Sequence, residues 1–393
     1  MNIKSLLLGS AAALVAVSGA RAADAIVVAE PEPAEYVRIC DVYGAGYYYI
    51  PGTETCLKVG GYLRYDVGVG DLFGHNDVVD KKDLADFVRD NPGATDGDIR
   101  AALADGTIDT NDTYFKQMRV QVNMDARAET EYGTLRGYIA LNFNERINAV
   151  NVFDDQDAFL YSETTSGNRW NIDHAIIQLG GLTVAYSDSL FESLTDSAGT
   201  VVNDDLVNFT PGKSHYIAYT FDAGNGFSAT LGVEDGNGFD GALDSYVPHV
   251  VAGASWTQGW GKIAGVVAYD SNYEEVSGKV RVDVNVNDAL SLWAMAGFTG
   301  ADNDIGEIGS YYATWEGDWA VWGGGQYRFT EKAALDVQLS YDDVETFAAV
   351  VGVRYNIVPG FVIRPEVAYV SAKDDFDNSE DFWGGYLRFQ RSF

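Results

Sequence analysis

Apolar and polar residues alternate with period two in short blocks along most of the chain, the pattern of strands with one dry and one wet face. In 276–286, Val276, Val280, Val282, Val284 and Val286 share one side, and Ser277, Lys279, Arg281, Asp283 and Asn285 share the other. In 133–146, Leu135, Ile139, Leu141 and Phe143 oppose Arg136, Tyr138, Asn142, Asn144 and Arg146. The last block sets Trp383, Gly385, Leu387 and Phe389, ending at Phe393, against Tyr386, Arg388, Gln390 and Ser392. The same reading predicts strands near 57–69, 115–130, 133–146, 170–179, 182–187, 213–222, 227–235 and 247–257. Eight more are predicted near 260–270, 276–286, 289–299, 318–329, 333–342, 346–357, 361–370 and 382–393. That is sixteen, an even number and one that leaves an aqueous channel, so the predicted fold class is all-β: a 16-stranded antiparallel transmembrane β-barrel, lipid outside and water within.

The connections support one barrel domain. Short ones fall at Glu131-Tyr132-Gly133, Gly180-Gly181, Gly224-Asn225-Gly226, Gln258-Gly259, Asn287-Asp288, Glu331-Lys332 and Val358-Pro359-Gly360, all turn chemistries. Longer, mostly acidic connections lie between them, as expected of short turns on one rim and loops on the other. Trp256 and Trp260 flank one turn, and Tyr355 and Phe361 another, where an interfacial girdle would sit.

The N-terminus adds an address. Lys4, an apolar run from Leu6 to Val17 and Ala20-Arg21-Ala22 form a secretory signal, 1–22, cleaved between Ala22 and Ala23. That run is too short to span a bilayer, and no later segment offers eighteen uninterrupted apolar residues. Abundant Gly (43) and aromatics (13%), with only 8 Pro, suit many short strands. The net charge of −32 excludes nucleic acid as a partner. It suits loops that hold divalent cations or the lipopolysaccharide they bridge, and equally loops that are merely kept soluble. Cys40 and Cys56, in a chain exported to an oxidising compartment, are expected to form a disulfide worth about 3 kcal/mol. No further ligands stand near them to make a metal site, and no cofactor is expected. His75, His174, His215 and His249 are scattered, without the nucleophile and base an outer-membrane hydrolase would need.

A final Phe393 on an aromatic strand is similar to the ends of bacterial outer-membrane barrels, where the terminal aromatic is read by the barrel-assembly machinery. Along nearly its whole length the chain resembles the general porins of alphaproteobacteria, the rhizobial and brucella type. The segments that carry this are Glu35-Tyr-Val-Arg-Ile-Cys-Asp-Val-Tyr-Gly-Ala-Gly-Tyr47 and Tyr49-Ile-Pro-Gly-Thr-Glu-Thr-Cys-Leu-Lys-Val-Gly-Gly-Tyr-Leu-Arg-Tyr-Asp66. Ile177-Gln-Leu-Gly-Gly-Leu182, Gly261-Lys-Ile-Ala-Gly-Val-Val-Ala-Tyr-Asp270, Gly317-Asp-Trp-Ala-Val-Trp-Gly323 and Arg388-Phe-Gln-Arg-Ser-Phe393 match as well. The family accommodates Arg391, where such endings usually carry an apolar residue. The resemblance implies a homotrimer in the outer membrane, passing small hydrophilic solutes by diffusion. It also implies that the third long loop folds inward as a constriction.

Counted in order, the long loops are 70–114, 147–169 and 188–212. The third offers Leu190, Phe191 and Leu194 to pin a short helix, and Asp188, Glu192, Asp196, Asp204 and Asp205 to line the pore. Inward positions on the first strands supply Lys58, Arg64, Arg119, Arg127 and Arg136 as the opposing cations, unless several pair locally with Asp66, Asp125 or Glu129. Opposed rows of the two signs make a transverse field that favours dipolar over apolar solutes. Residues 70–114 are longer than the family pattern. Asp80 is predicted to cap a helix carrying Leu84, Phe87 and Val88, and Asp96 another carrying Ile99, Ala102 and Leu103 and closed by Gly106. The run 105–112 is rich in carboxylates but lacks EF-hand spacing. A substrate-specific channel and a surface adhesin remain as alternatives on the same barrel.

Overall fold

The computed structural model describes residues 38–154, 158–303, 309–373 and 378–393. The expected leader, 1–22, and its cleavage point between Ala22 and Ala23 lie outside the described residues. Sixteen strands make the wall. We label them β1 (Cys56–Val69), β2 (Phe115–Thr130), β3 (Gly133–Phe153), β4 (Phe159–Leu179), β5 (Leu182–Asp188), β6 (Lys213–Asp222), β7 (Phe227–Gly236) and β8 (His249–Gln258). The second half comprises β9 (Gly261–Asp270), β10 (Glu275–Asn285), β11 (Leu290–Thr299), β12 (Trp319–Arg328), β13 (Ala333–Asp342), β14 (Phe347–Val358), β15 (Phe361–Lys373) and β16 (Ser379–Ser392). Each pairs antiparallel with its sequence neighbours, and β16 pairs with β1 from Gly385↔Val69 to Ser392↔Tyr62, so the sheet closes on itself. The last residue completes the seam: Phe393 and Gly61 exchange backbone hydrogen bonds of 3.1 Å in both directions. A Cβ on Gly61 would sit 2.1 Å from the Gln121 carbonyl oxygen, so only glycine allows this approach.

The two faces are inverted relative to a water-soluble protein. Val276, Val280, Val282 and Val284 are exposed on the outside of β10, whereas Ser277, Lys279 and Arg281 between them are buried. Leu135, Ile139 and Phe143 on β3 are likewise exposed. Among the described residues no helix is long and apolar enough to cross a membrane, and the strands carry that role. Trp256 and Trp260 meet edge-to-face at 6.3 Å beside their turn, both exposed.

All sixteen predicted strands are present, most within two residues of their expected ends. The main correction is 147–169, expected as a long loop. It is a hairpin that prolongs β3 and β4, in register from Ile147↔Ser166 to Val152↔Tyr161 and shifted by one residue before Phe153↔Phe159. Past the membrane both faces of a strand meet water, so the alternation fades while backbone pairing continues. The insertion packs on this hairpin. It contains α1 (Lys81–Asp90), whose N-cap Asp80 accepts from the amides of Lys82 and Asp83, and α2 (Asp96–Ala104). The cap of α2 is Thr95, not the expected Asp96: its hydroxyl accepts from Asp98 N while the Asp98 carboxylate accepts from Thr95 N, a capping box. Val79, Ala102 and Ile108 form a small core with Leu84, Phe87, Ile99, Leu103 and Tyr161 of β4, while Val88 of α1 is exposed. Arg100 pairs with Asp154 at 2.6 Å, which fixes α2 to the hairpin tip.

Candidate functional site

Inward arginines stand on five consecutive strands: Arg354 (β14), Arg364 (β15), Arg388 (β16), Arg64 (β1) and Arg119 (β2). Register aligns them, Arg364 opposite Arg388 and Arg64 opposite Arg119. Buried carboxylates hold the row together. Asp66 accepts from Arg388 Nε at 2.8 Å and lies 3.2 Å from Arg64 Nε. Asp336 lies 3.3 Å from Arg354 and 3.6 Å from Arg364. Arg119 donates instead to the amide oxygen of Asn144 at 2.6 Å. Of these five, Arg64 and Arg119 were expected as pore cations, and Arg388 was expected on the water-facing side of the last strand without that role. Arg354 and Arg364 were missed because their strands are apolar on both faces, with Ala348, Val350, Ala368 and Val370 buried inward and Val351, Val353 and Val367 exposed outward, so no polar face marked them.

Lys58, Arg127 and Arg136 form a separate group at the short-turn end. Asp125 accepts from both Arg127 (2.8 Å) and Arg136 (2.9 Å), the local pairing held open above. Lys58 donates to the Ala45 carbonyl at 3.2 Å and lies over the Tyr47 ring. The Cys40–Cys56 disulfide is formed and ties 39–49 to this end, where Tyr43 donates to Glu129 at 2.7 Å and Arg127 covers the Tyr43 and Tyr47 rings.

The segment 189–212 follows β5. Ser189 caps the single turn α3 (Leu190–Ser193), and Glu234 on β7 accepts from Ser189 Oγ at 2.8 Å and Leu190 N at 2.6 Å. The segment then meets the polar face of strand after strand. Lys262 of β9 pairs with Asp196 at 2.7 Å, and Lys279 of β10 donates to the Phe209 carbonyl at 2.8 Å. Arg281 donates to the Ser197 carbonyl, and Trp322 of β12 to the Val207 carbonyl at 2.9 Å. Thr200 donates to Asp336 at 2.6 Å, Gln338 of β13 to the Asp204 carbonyl at 2.7 Å, and Val202 N to Glu366 of β15. Arg354 and Arg364 both donate to the Thr200 carbonyl.

Its four acids, and Asp188 at the end of β5, have unequal surroundings. Asp188 pairs with Lys213 at 2.6 Å. Glu192 is turned into the segment, where it accepts from Thr210 Oγ1, and burial pushes its carboxyl up. Asp196 holds Lys262. Asp204 is half-buried, and burial followed by the adjacent Asp205 carboxylate pushes its pKa up to about 8. Asp205 is exposed. Asp188 and Asp196 thus meet Lys213 and Lys262, lysines that sequence reasoning did not single out, while Glu192 turns to Thr210 and the Asp204 backbone is held by Gln338.

A family model described as "Porin subfamily" matches residues 24–389. The chain belongs to this family. The porin Omp2b of Brucella suis biovar 1 (strain 1330) is 44% identical over 404 residues, covering 100% of both chains, and that of Brucella abortus (strain 2308) matches equally. Among solved structures, the outer membrane channel DcaP of Acinetobacter baumannii superposes with a TM-score of 0.59 at 15% identity, over 88% of this chain and 99% of the other. A mutant porin of Rh. blastica gives 0.51 at 14% identity, over 86% and 100%. At such identities these two establish the barrel fold alone. With family and fold in hand, the protein is an outer-membrane porin, a channel whose wall is the closed sheet described above.

Proposed function

We propose that this porin passes small hydrophilic solutes and ions by passive diffusion, through a water-filled lumen that residues 189–212 narrow into a filter. The observation that carries the reading is the seat of that segment. It meets inward side chains from Glu234 on β7 to Glu366 on β15, and its Thr200–Asp205 edge reaches the arginine row. Carboxylates on one side and guanidiniums on the other orient water and dipolar solutes, which an unlined pipe of this width would not do. Guanidinium suits the fixed side because it stays charged in any surroundings. With a chain of net charge −32, modest cation preference is expected.

Assembly belongs to the same proposal. Outward Gly61, Leu63, Gly137 and Leu141 on early strands offer small and aliphatic surface, and an apolar trough of about 810 Å³ runs past Gly137, Ile139, Ala175, Ile177 and Val184. A homotrimer packed there, surrounded by outer-membrane lipids and lipopolysaccharide, fits these features. The 70–114 insertion would then face outward from the cell, and Phe393 would present the end read by the barrel-assembly machinery. The experiment is removal of residues 196–207 in correctly folded protein, read by single-channel conductance and liposome swelling. Larger conductance and entry of larger sugars are expected. Unchanged conductance and cut-off would show that this segment is not the filter.

A further inference from the structure

Residues 309–317, in the connection between β11 and β12, lack strand alternation and contribute no charge to the arginine row. They nonetheless carry some of the most deeply buried aromatics in the molecule, Tyr312 at 0% exposure and Trp315 at 2%. Their contacts converge on the two ends of the 189–212 segment. At its start, the Tyr312 hydroxyl donates at 3.0 Å to Glu234, the same carboxylate that holds Ser189 and Leu190. The Tyr312 ring also packs on Phe191 with centroids 5.2 Å apart. At its end, Trp315 stands edge-on to Trp322 at 5.7 Å. Trp322 in turn holds the Val207 carbonyl and packs on Phe209.

The aromatic stretch is itself anchored to the wall. Tyr311 N donates to Asp270 at 2.6 Å, and its hydroxyl to the Lys213 carbonyl at 3.2 Å. Asn303 donates to the Ala313 carbonyl at 3.1 Å. Inward Gly297 on β11 leaves the space Trp315 fills, since a Cβ there would stand 2.8 Å from the indole.

A segment with one helical turn cannot hold its own shape in a water-filled lumen. Phe191 and Phe209 lie in a buried apolar core with Val251, Val266, Met295 and Trp322 of the wall, and Tyr311, Tyr312 and Trp315 complete its cover. We propose that residues 309–317 are a strut that holds the filter in place, with Tyr312 and Trp315 as its positioning residues. This rests on the reading of 189–212 as the filter.

The test compares Trp315→Ala, Gly297→Ala and Tyr312→Phe with the 196–207 deletion, alone and combined, in barrels shown to be folded by circular dichroism and heat modifiability. Trp315→Ala removes the strut's anchor, and Gly297→Ala displaces it from behind without altering the strut. Both are expected to give single-channel conductance between parent and deletion, with greater open-channel noise. Neither should add to the conductance of the deletion, because a strut acts only through what it supports. Tyr312→Phe, which loses one hydroxyl, should raise noise with little change in mean conductance. Normal conductance and noise in Trp315→Ala and Gly297→Ala beside an enlarged deletion channel would overturn the strut and leave the filter standing. Conductance gains additive with the deletion would also overturn it, making 309–317 an obstruction in its own right. An unchanged deletion channel would instead remove the filter reading itself.

Discussion

Asp204 is the residue at which charge and surroundings disagree most usefully. Burial and the neighbouring Asp205 carboxylate raise its pKa to about 8, with Glu192 and Glu366 adding to the same side. Its carboxyl is therefore mostly protonated at neutral pH and ionises as pH rises through about 8. Cation preference, read as reversal potential in a salt gradient, is expected to rise between pH 7 and 9, and Asp204→Asn should flatten that rise. A pH-independent reversal potential in the parent would contradict it. On the opposite side, Arg64 shares Asp66 with Arg388, whereas Arg119 is hydrogen-bonded to an amide. Replacing Arg64 and Arg119 together with Gln is expected to shift the reversal potential towards cations. Raising salt from about 0.1 M to about 1 M should shrink the shift, since the screening length falls from about 10 Å to about 3 Å. An equal shift at both salts would mean that the charges act by some route other than their field. Residue by residue, the sequence made charge type legible but not pairing: Glu192 turned inward to Thr210, and Asp188 and Asp196 met lysines, because partners drawn from distant strands leave no mark in local spacing.

Among the elements, the disulfide-tied stretch 39–56 and the 70–114 insertion make opposite cases. Cys40 and Cys56 close a short loop at the turn end, far along the strand from the arginine row, and the ring packing of Tyr43 and Tyr47 depends on that closure. Replacing both with Ser is expected to cost about 3 kcal/mol of stability, seen as a lower melting temperature of the folded barrel, with conductance unchanged. A change in conductance without loss of stability would place the bridge in the pore's machinery instead. Strands were the most legible elements, because lipid on one face and water on the other enforce alternation through the full thickness of the membrane. Where that constraint ends, legibility ends: the 147–169 hairpin reads as a loop because Asn148, Asn151, Ser162 and Thr164 put polar side chains on both of its faces. The helices of the insertion were readable from caps and periodicity, and the slip from Asp96 to Thr95 reflects two adjacent residues able to cap equally well. The stretch 309–317 carried no periodicity to read, since its burial comes from tertiary contact alone.

At the scale of the molecule, an apolar exterior has to be covered by lipid or by another copy. Valines and aromatics facing bilayer need no partner, but a trough floored by glycine and alanine packs poorly against mobile acyl chains and well against a rigid, complementary wall. Gly137 is the test position: nothing lies within 4 Å of where its Cβ would stand, so a side chain there projects outward without disturbing the barrel. Its neighbours Ile139 and Ile177 are exposed around it. Gly137→Trp is expected to weaken or abolish the trimer, moving detergent-extracted protein to the monomer mass by light scattering. Circular dichroism and heat modifiability should stay those of a folded barrel, and conductance steps should appear singly rather than in threes. Tight trimers in the Trp variant would put the interface elsewhere on the wall, while a monomeric parent under native extraction would remove the trimer altogether. If the filter is, as proposed, built within one barrel, from β7 round to β2, selectivity should survive the loss of the trimer. That independence separates an assembly defect from a pore defect in any variant of this chain.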